Sequence, residues 1–251
     1  MNGDPCSIVG HTVIVVGAAS GIGQAAAKYF AALGAHVVCA DVDADAAQLT
    51  ATHAAETMSA VQTDVTNEES TTALVEHALN RWGRIHALVN CAGISGPLGK
   101  RSHEVAPEEL DKTYAVNLRG AFLLSRAVLP HMLEHQYGRI AMVSSIAGKE
   151  GNPNMVGYSS TKAGLIGMVK GQAKEYAQDG ITVNALAPAV IRTPFLDTQP
   201  QQVVDYMTSR IPMGRTGTLE EVATMLAWMI SPACSFTTGF TFDLSGGRAT
   251  Y

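Results

Sequence analysis

No stretch of the sequence approaches the roughly 18 consecutive apolar residues that a membrane-crossing helix needs. Its opening, "MNGDPCSIVGHTVIVVG", puts no basic segment ahead of an apolar one. Neither a membrane span nor a secretory leader is expected, which points to a cytoplasmic protein. Charge is sparse as well: Asp, Glu, Lys and Arg make up 16% of the chain and the formal net charge is −5. With no basic tract or basic amphipathic helix, nucleic acid and anionic membrane are poor partners, and a small molecule is the better expectation. Cysteine is rare and scattered, at Cys6, Cys39, Cys91 and Cys234, without a C-x-x-C pair. These read as reduced, mostly structural thiols, and no metal site is expected.

What the chain has in quantity is apolar residues, 47% of 251, enough for one large core and for a single domain spanning 1–251. Short β-branched runs alternate with longer helical patterns. "TVIVVG" (12–17) is followed by "QAAAKYFAALG" (24–34), "HVVCAD" (36–41) by "DADAAQLTATHAAE", and "AVQTDV" (60–65) by "NEESTTALVEHALNRWG". Further strands are expected at 85–93, 138–145, 180–188 and 239–246. Strands alternating with helices along the whole chain imply an α/β fold, a doubly wound parallel sheet with helices on both faces. The helical stretches 107–135 and 155–178 carry more apolar surface than one sheet face needs, so a homodimer or homotetramer is expected.

Directly after the first strand comes "GAASGIG", with Gly17, Gly21 and Gly23. A strand, a glycine-rich turn and a helix in that order let backbone N–H groups and a helix N-terminus receive a pyrophosphate. The triplet alone could be only a tight turn; the strand before it and the helix after it favour a dinucleotide. Asp41 ends the second strand, where a carboxylate can grip the adenosine ribose, although it could instead cap the next helix. Neither Ala18-Ala19 nor Val42-Asp43 supplies a cation for a 2′-phosphate, so NAD is favoured over NADP. Asp64 and Val65 could border the adenine, with Asp64 alternatively capping the helix near Asn67.

The stretch "GYSSTKAG" sets Tyr158 and Lys162 on one helix face, in line with Leu165, Val169 and Ala173. An ammonium on that apolar stripe either snorkels to water or tunes the tyrosine. "GAASGIG", "NCAG" (90–93), "VNLRG" (116–120), "VSS" ending at Ser145, "YSSTK" (158–162) and "NALAPAVIRT" (184–193) occur together in order over nearly the whole chain. In these motifs the sequence resembles the short-chain dehydrogenase/reductase family.

The resemblance implies a Rossmann-type fold and hydride transfer between a nicotinamide cofactor and a secondary alcohol or ketone. It makes Tyr158 the acid/base, Lys162 its activator, Ser145 the group that positions the substrate oxygen and Asn117 the support of a proton relay. It also implies cofactor contacts from Gly17, Ser20, Gly21, Ile22, Gly23, Asp41, Asp64, Val65, Asn90, Ala92, Gly93, Tyr158, Lys162, Pro188, Ile191 and Thr193. A free phenol titrates near pH ~10, so a base working near neutrality needs a fall of roughly 2–3 units. The Lys162 ammonium and a positive nicotinamide ring are the expected sources. Several letters depart from the family pattern. Val16 replaces a threonine that anchors the glycine loop, Cys91 an asparagine, and Ala189 a glycine; Ser245 stands for an aspartate, with Asp243 two residues earlier. Cys91 would make the enzyme sensitive to thiol reagents.

Residues 192–215 correspond to the family's substrate lid and include Phe195, Leu196, Tyr206 and Met207. The substrate is expected to be a small polyol, sugar acid or hydroxy acid; Lys149 or Arg192 could meet the carboxylate of such an acid, or both could be solvated surface charges. Arg248 or Tyr251 could reach a neighbouring subunit. Two other functions stay in competition: an NADPH-dependent 3-oxoacyl-carrier-protein reductase, and a non-catalytic dinucleotide sensor or scaffold.

Overall fold

The computed structural model describes residues 4–193, Leu196, Thr198 and 200–251. Phe195, named above as part of the lid, lies outside them. Seven strands form one sheet: β1 (Thr12–Val16), β2 (His36–Asp41), β3 (Met58–Gln62), β4 (Ala87–Asn90), β5 (Gly138–Val143), β6 (Ile181–Pro188) and β7 (Thr241–Leu244). Their order is β3-β2-β1-β4-β5-β6-β7, with every neighbouring pair parallel.

The unbroken apolar character of β1 has a direct cause. Side chains alternate across a strand, and both faces of this one are covered. Val13 and Val15 enter one core with Phe30 of α1 (Gly21–Ala32) and Leu226 of α9 (Leu219–Ile230). Ile14 and Val16 enter the other core, with Leu74 of α3 (Glu68–Trp82), Leu124 of α5 (Gly120–Glu134) and Leu165 of α7 (Val156–Tyr176). Further α-helices among the described residues are α2 (Ala44–Ala51), α4 (Pro107–Tyr114), α6 (Ile146–Glu150) and α8 (Gln201–Ser209), the last within the segment expected to be the lid. None of the described helices is long and apolar enough to cross a membrane.

The third strand starts and ends before the expected 60–65. It is an edge strand paired only with β2, and past Gln62 the Asp64 carboxylate accepts from the N–H and hydroxyl of Thr66, turning the chain away. Because β1 is flanked by β2 on one side and β4 on the other, the chain reverses its direction of winding there. The gap between the C-terminal ends of those strands is the crevice in which an open α/β sheet binds its ligand.

Candidate active site

The crevice is walled by residues from five loops. Gly17 takes a left-handed backbone (φ +81°), and a Cβ on it would stand 2.8 Å from the backbone nitrogen of Ala92. Gly23 lies still closer to its neighbour, since a Cβ there would meet the Gly17 carbonyl oxygen at 2.0 Å. Gly17 lets the loop close on the turn after β4 and Gly23 lets it close on α1, whose first turn holds no acidic side chain and receives no side-chain cap from Ser20. Its N–H groups are open to an anion.

The threonine hydroxyl missing at Val16 is replaced by other ties. Thr50 donates to the Ala18 carbonyl at 2.9 Å, and Gln24 bridges the Ala19 carbonyl (3.2 Å) and Thr50 (3.1 Å). Asp41 takes part too: its Oδ2 accepts from Ala19 N–H at 2.9 Å and its Oδ1 from Asp43 N–H at 3.1 Å. It is not a helix cap. Asp43 caps α2 and Asn67 caps α3, so Asp41 and Asp64 both remain at the crevice wall. Ser20, Gly21, Ile22, Val65, Ala92, Gly93 and Thr193 complete a cleft of about 500 Å³. A glycine cradle, an open helix N-terminus and a carboxylate one strand away fit a nicotinamide dinucleotide. Five expected contacts stand outside this wall: Tyr158, Lys162 and Pro188 line an adjoining cleft, and the other two line neither. Asn90 accepts from Ala92 N–H at 3.0 Å and so shapes the turn, while Ile191 packs into the core beside Gly217.

A second cleft, of about 520 Å³, adjoins the first and contains Ser145, Tyr158, Lys162 and Pro188. Lys162 does not snorkel. It is 4% exposed, donates to the Val143 carbonyl at 2.8 Å and stands 5.7 Å from the Tyr158 ring centre, while Leu165, Val169 and Ala173 below it are buried. Asn117 lies in a π-helical turn (Ala115–Arg119) joining α4 to α5, a wide turn of the kind found at functional sites. There it accepts from Ile94 N–H at 2.8 Å and donates to the Ile94 carbonyl at 2.9 Å and to Thr161 at 3.1 Å. A Cβ on Gly93 would fall 3.2 Å from Lys162 Nζ and 3.3 Å from Asn117 Oδ1, so glycine keeps these two groups together.

The residues between tyrosine and lysine also have tasks. Ser159 accepts from Asn152 N–H at 3.0 Å and Thr161 supports Asn117, whereas Ser160 only bonds back to the Gly157 carbonyl.

The expected fall in the phenol pKa is not found in the protein alone. Burial pushes Tyr158 above the usual phenol range, and a hydrogen bond from Ser145 pulls it back only in part. Burial also lowers Lys162 to about 8 and raises the Cys91 thiol to about 12. Both partners lose hydration and Lys162 is spent on a backbone carbonyl, so desolvation outweighs attraction. Burial thus disfavours the reactive thiolate of Cys91, against the sensitivity expected of that thiol.

Neither cation expected to meet a substrate carboxylate lines the second cleft. Lys149 pairs with Asp243 at 2.9 Å beneath the Tyr251 ring, which explains the shifted aspartate, and Arg192 is exposed outside the lining. Tyr251 donates to the Lys149 carbonyl, and Arg248 pairs with Glu150 at 2.8 Å, so within this chain Arg248 lines the cleft and Tyr251 packs on Lys149 outside it. Arg210, in the segment expected to be the lid, also lines the cleft; its neighbours at i−3 and i−4, Met207 and Tyr206, were the sequence signal for it. Elsewhere, His131, Glu134 and His135 bring ligand atoms within 4.8 Å of one another, at an i, i+4 histidine spacing passed over above. His131 Nε2 already accepts from Ile85 N–H at 3.2 Å.

Comparison with known proteins agrees with this geometry. A family model described as Enoyl-(Acyl carrier protein) reductase matches residues 17–249. The chain is 42% identical over 247 residues to 2-dehydro-3-deoxy-L-rhamnonate dehydrogenase (NAD(+)) of Sphingomonas sp. (strain SKA58), covering 96% of each. It is 38% identical over 242 residues to the 3-oxoacyl-[acyl-carrier-protein] reductase FabG of Thermotoga maritima, covering 95% of this chain and 97% of that one. The crystal structure of gox2181 superimposes with a TM-score of 0.93 at 31% identity, covering 97% of both chains.

Proposed function

The chain belongs to the short-chain dehydrogenase/reductase family, and from that premise we propose that it is an NAD-dependent dehydrogenase interconverting a secondary alcohol and a ketone on a small sugar acid or hydroxy acid. The observation that carries this reading is the convergence of Ser145, Tyr158 and Lys162 on one cleft that adjoins the glycine cradle and Asp41. When bound, the nicotinamide supplies the hydride acceptor or donor.

The chain's own residues do the rest. Ser145 holds the substrate oxygen beside Tyr158 Oη. The Tyr158 phenolate takes the hydroxyl proton in oxidation, and the phenol returns it in ketone reduction. Lys162 supplies the positive charge behind the phenolate, and Asn117 fixes the Ile94 backbone that carries the relay toward water. Protonated Tyr158 is the resting form, because burial disfavours its charged state. Deprotonation therefore follows binding of a positively charged partner. Residues 192–215 act as the lid over the substrate.

Asp41 separates this reading from a 3-oxoacyl-carrier-protein reductase using NADPH, the activity named for the Thermotoga maritima relative. Its carboxylate lines the cofactor cleft, where it would hold the ribose hydroxyls and would repel a 2′-phosphate, with Ala19, Val42 and Asp43 around it. Measured kcat/KM is expected to favour NAD over NADP by at least about 100-fold, about 3 kcal/mol of discrimination. A preference for NADP would overturn the cofactor assignment.

Exposed Phe122 (48%) and Leu133 (36%) on α5 flank a groove floored by Met168 and Tyr176 of α7. This supports assembly into a homodimer or homotetramer, which light scattering would measure. The four free cysteines support a reducing, cytoplasmic setting.

A further inference from the structure

The second cleft has a charge imbalance that the hydride chemistry does not explain. Among its described lining residues are Lys162, Arg210 and Arg248, but no aspartate or glutamate. This occurs in a chain whose net charge is −5. Glu150, the last residue of α6, stands behind the wall and serves both arginines with the same oxygen, Oε2.

It serves them unequally. Arg248 is fixed: Nε and Nη2 reach Glu150 Oε2 at 3.0 and 2.8 Å, Nη2 also donates to Asn152 Oδ1 at 3.2 Å, and its side chain is 7% exposed. Arg210 reaches the same oxygen only at 3.6 Å and stays 39% exposed. That distance is about 0.7 Å beyond a charge-assisted hydrogen bond, so Arg210 keeps most of its donor capacity. With Asn152 Oδ1 occupied by Arg248, Asn152 Nδ2 faces only Met155 Sδ at 4.0 Å, a weak acceptor that an anionic oxygen would displace. Arg210 immediately follows α8, and Ser145 and Tyr158 line the same cleft.

We propose that Arg210 reads a carboxylate on the substrate, with Asn152 as second donor and the Arg248–Glu150 pair as the fixed support that holds Asn152 in place. One guanidinium is neutralised by Glu150 and the other is left over, which suits a monoanion. An anion reaching Arg210 replaces its long contact with Glu150, and binding thereby draws the end of the lid helix onto the cleft. The inference rests on the dehydrogenase reading above and makes the acid group of the substrate its main determinant of specificity.

The test compares 2-dehydro-3-deoxy-L-rhamnonate, its neutral methyl ester and glucitol 6-phosphate as substrates of wild type, Arg210→Ala, Arg210→Lys and an exposed control outside both clefts, Arg81→Ala. For the acid, Arg210→Ala is expected to raise KM about 20- to 100-fold with kcat changed less than about threefold, the pattern of lost binding equal in ground and transition states. Arg210→Lys recovers part of that loss. The methyl ester is expected to have a high KM in wild type that neither Arg210 variant changes, and Arg81→Ala changes nothing. NADH affinity, read by fluorescence, stays within about twofold throughout, which shows an intact fold and cofactor site.

A KM for the acid that Arg210→Ala leaves within about threefold of wild type overturns the inference. So does a wild type that handles the ester as well as the acid; in both cases NADH formation continues and the dehydrogenase reading stands. Preference for glucitol 6-phosphate, sensitive to Arg210, overturns the carboxylate in favour of a phosphate. Wild type that forms no NADH from any alcohol, while binding NADH, defeats the dehydrogenase reading itself.

Discussion

Alanine at Gly23 tests how tightly the glycine loop must close on α1 for a dinucleotide to bind. The added Cβ would stand 2.0 Å from the Gly17 carbonyl oxygen and 2.6 Å from its carbon, where ordinary contact begins near 3.4 Å. Loop and helix would have to part by about 1.4 Å at this point, and the obstacle is backbone with no rotamer to change. Overpacking of this kind costs about 1–3 kcal/mol, and a backbone clash belongs at the upper end. A loss of 2–3 kcal/mol lowers Tm by roughly 4–12 °C in a chain of this size. Moving the helix N-terminus away from the pyrophosphate should weaken NADH binding by about 10- to 100-fold.

Gly83→Ala, at the C-cap of α3 and outside both clefts, is the matched control. Its left-handed backbone (φ +72°) adds strain of about 1–2 kcal/mol, but nothing lies within 4 Å of its Cβ. Thermal unfolding and NADH fluorescence titration should therefore show Gly83→Ala losing stability with affinity within about twofold, and Gly23→Ala losing both. A Gly23→Ala protein that matches wild type in Tm and NADH affinity would refute the close approach and the cradle built on it.

Two further predictions concern groups away from the hydride. His86 stacks on His11 at 4.5 Å, accepts from Thr12 N–H at 2.9 Å, and has its pKa lowered from 6.5 to about 4 by burial, with His11 and Arg84 adding to the effect. Its neutral form is the folded one, so the unfolded chain binds more protons between those values. Stability is expected to be full above about pH 6.5 and to fall toward pH 4 by ~1–2 kcal/mol on account of this group, half the unscreened amount because the ring is partly exposed. Denaturant titrations of His86→Gln should show a flatter acid limb, and an unchanged slope would remove His86 as the cause. For Cys91, a thiol held near 12 has a thiolate fraction below about one in ten thousand at neutral pH. A chromogenic disulfide reagent should react first with exposed Cys6 and leave activity intact, with the fast phase absent in Cys6→Ser. Rapid inactivation of Cys6→Ser would contradict that.

Much of this arrangement was legible in the residues because it rests on local pattern. The apolar run of β1, the glycine turn after it and the i, i+4 relation of Tyr158 to Lys162 are short-range features, and the burial of Leu165, Val169 and Ala173 follows from helical spacing. What was not legible depends on partners distant in sequence. Lys149 looked available to a substrate because Asp243, 94 residues away, could not be seen beside it, and Glu150 gathers Arg248 from 98 residues away. The fall expected for the Tyr158 phenol failed for a related reason. Spacing shows that an ammonium is near, but only the fold shows that it is buried and bonded to the Val143 carbonyl. Asp64 and Asp41 escaped the role of helix caps because Asn67 and Asp43, a few residues on, fill it.

The central claim is that Tyr158 moves the proton while the rest of the cleft binds, and Tyr158→Phe tests it most directly, since the ring and its packing are kept and only the hydroxyl is lost. With a sugar-acid alcohol that wild type oxidises, NADH formation should fall by about 10³-fold or more while NADH affinity stays within about threefold. Retention of more than about a tenth of wild-type turnover by Tyr158→Phe would contradict the account.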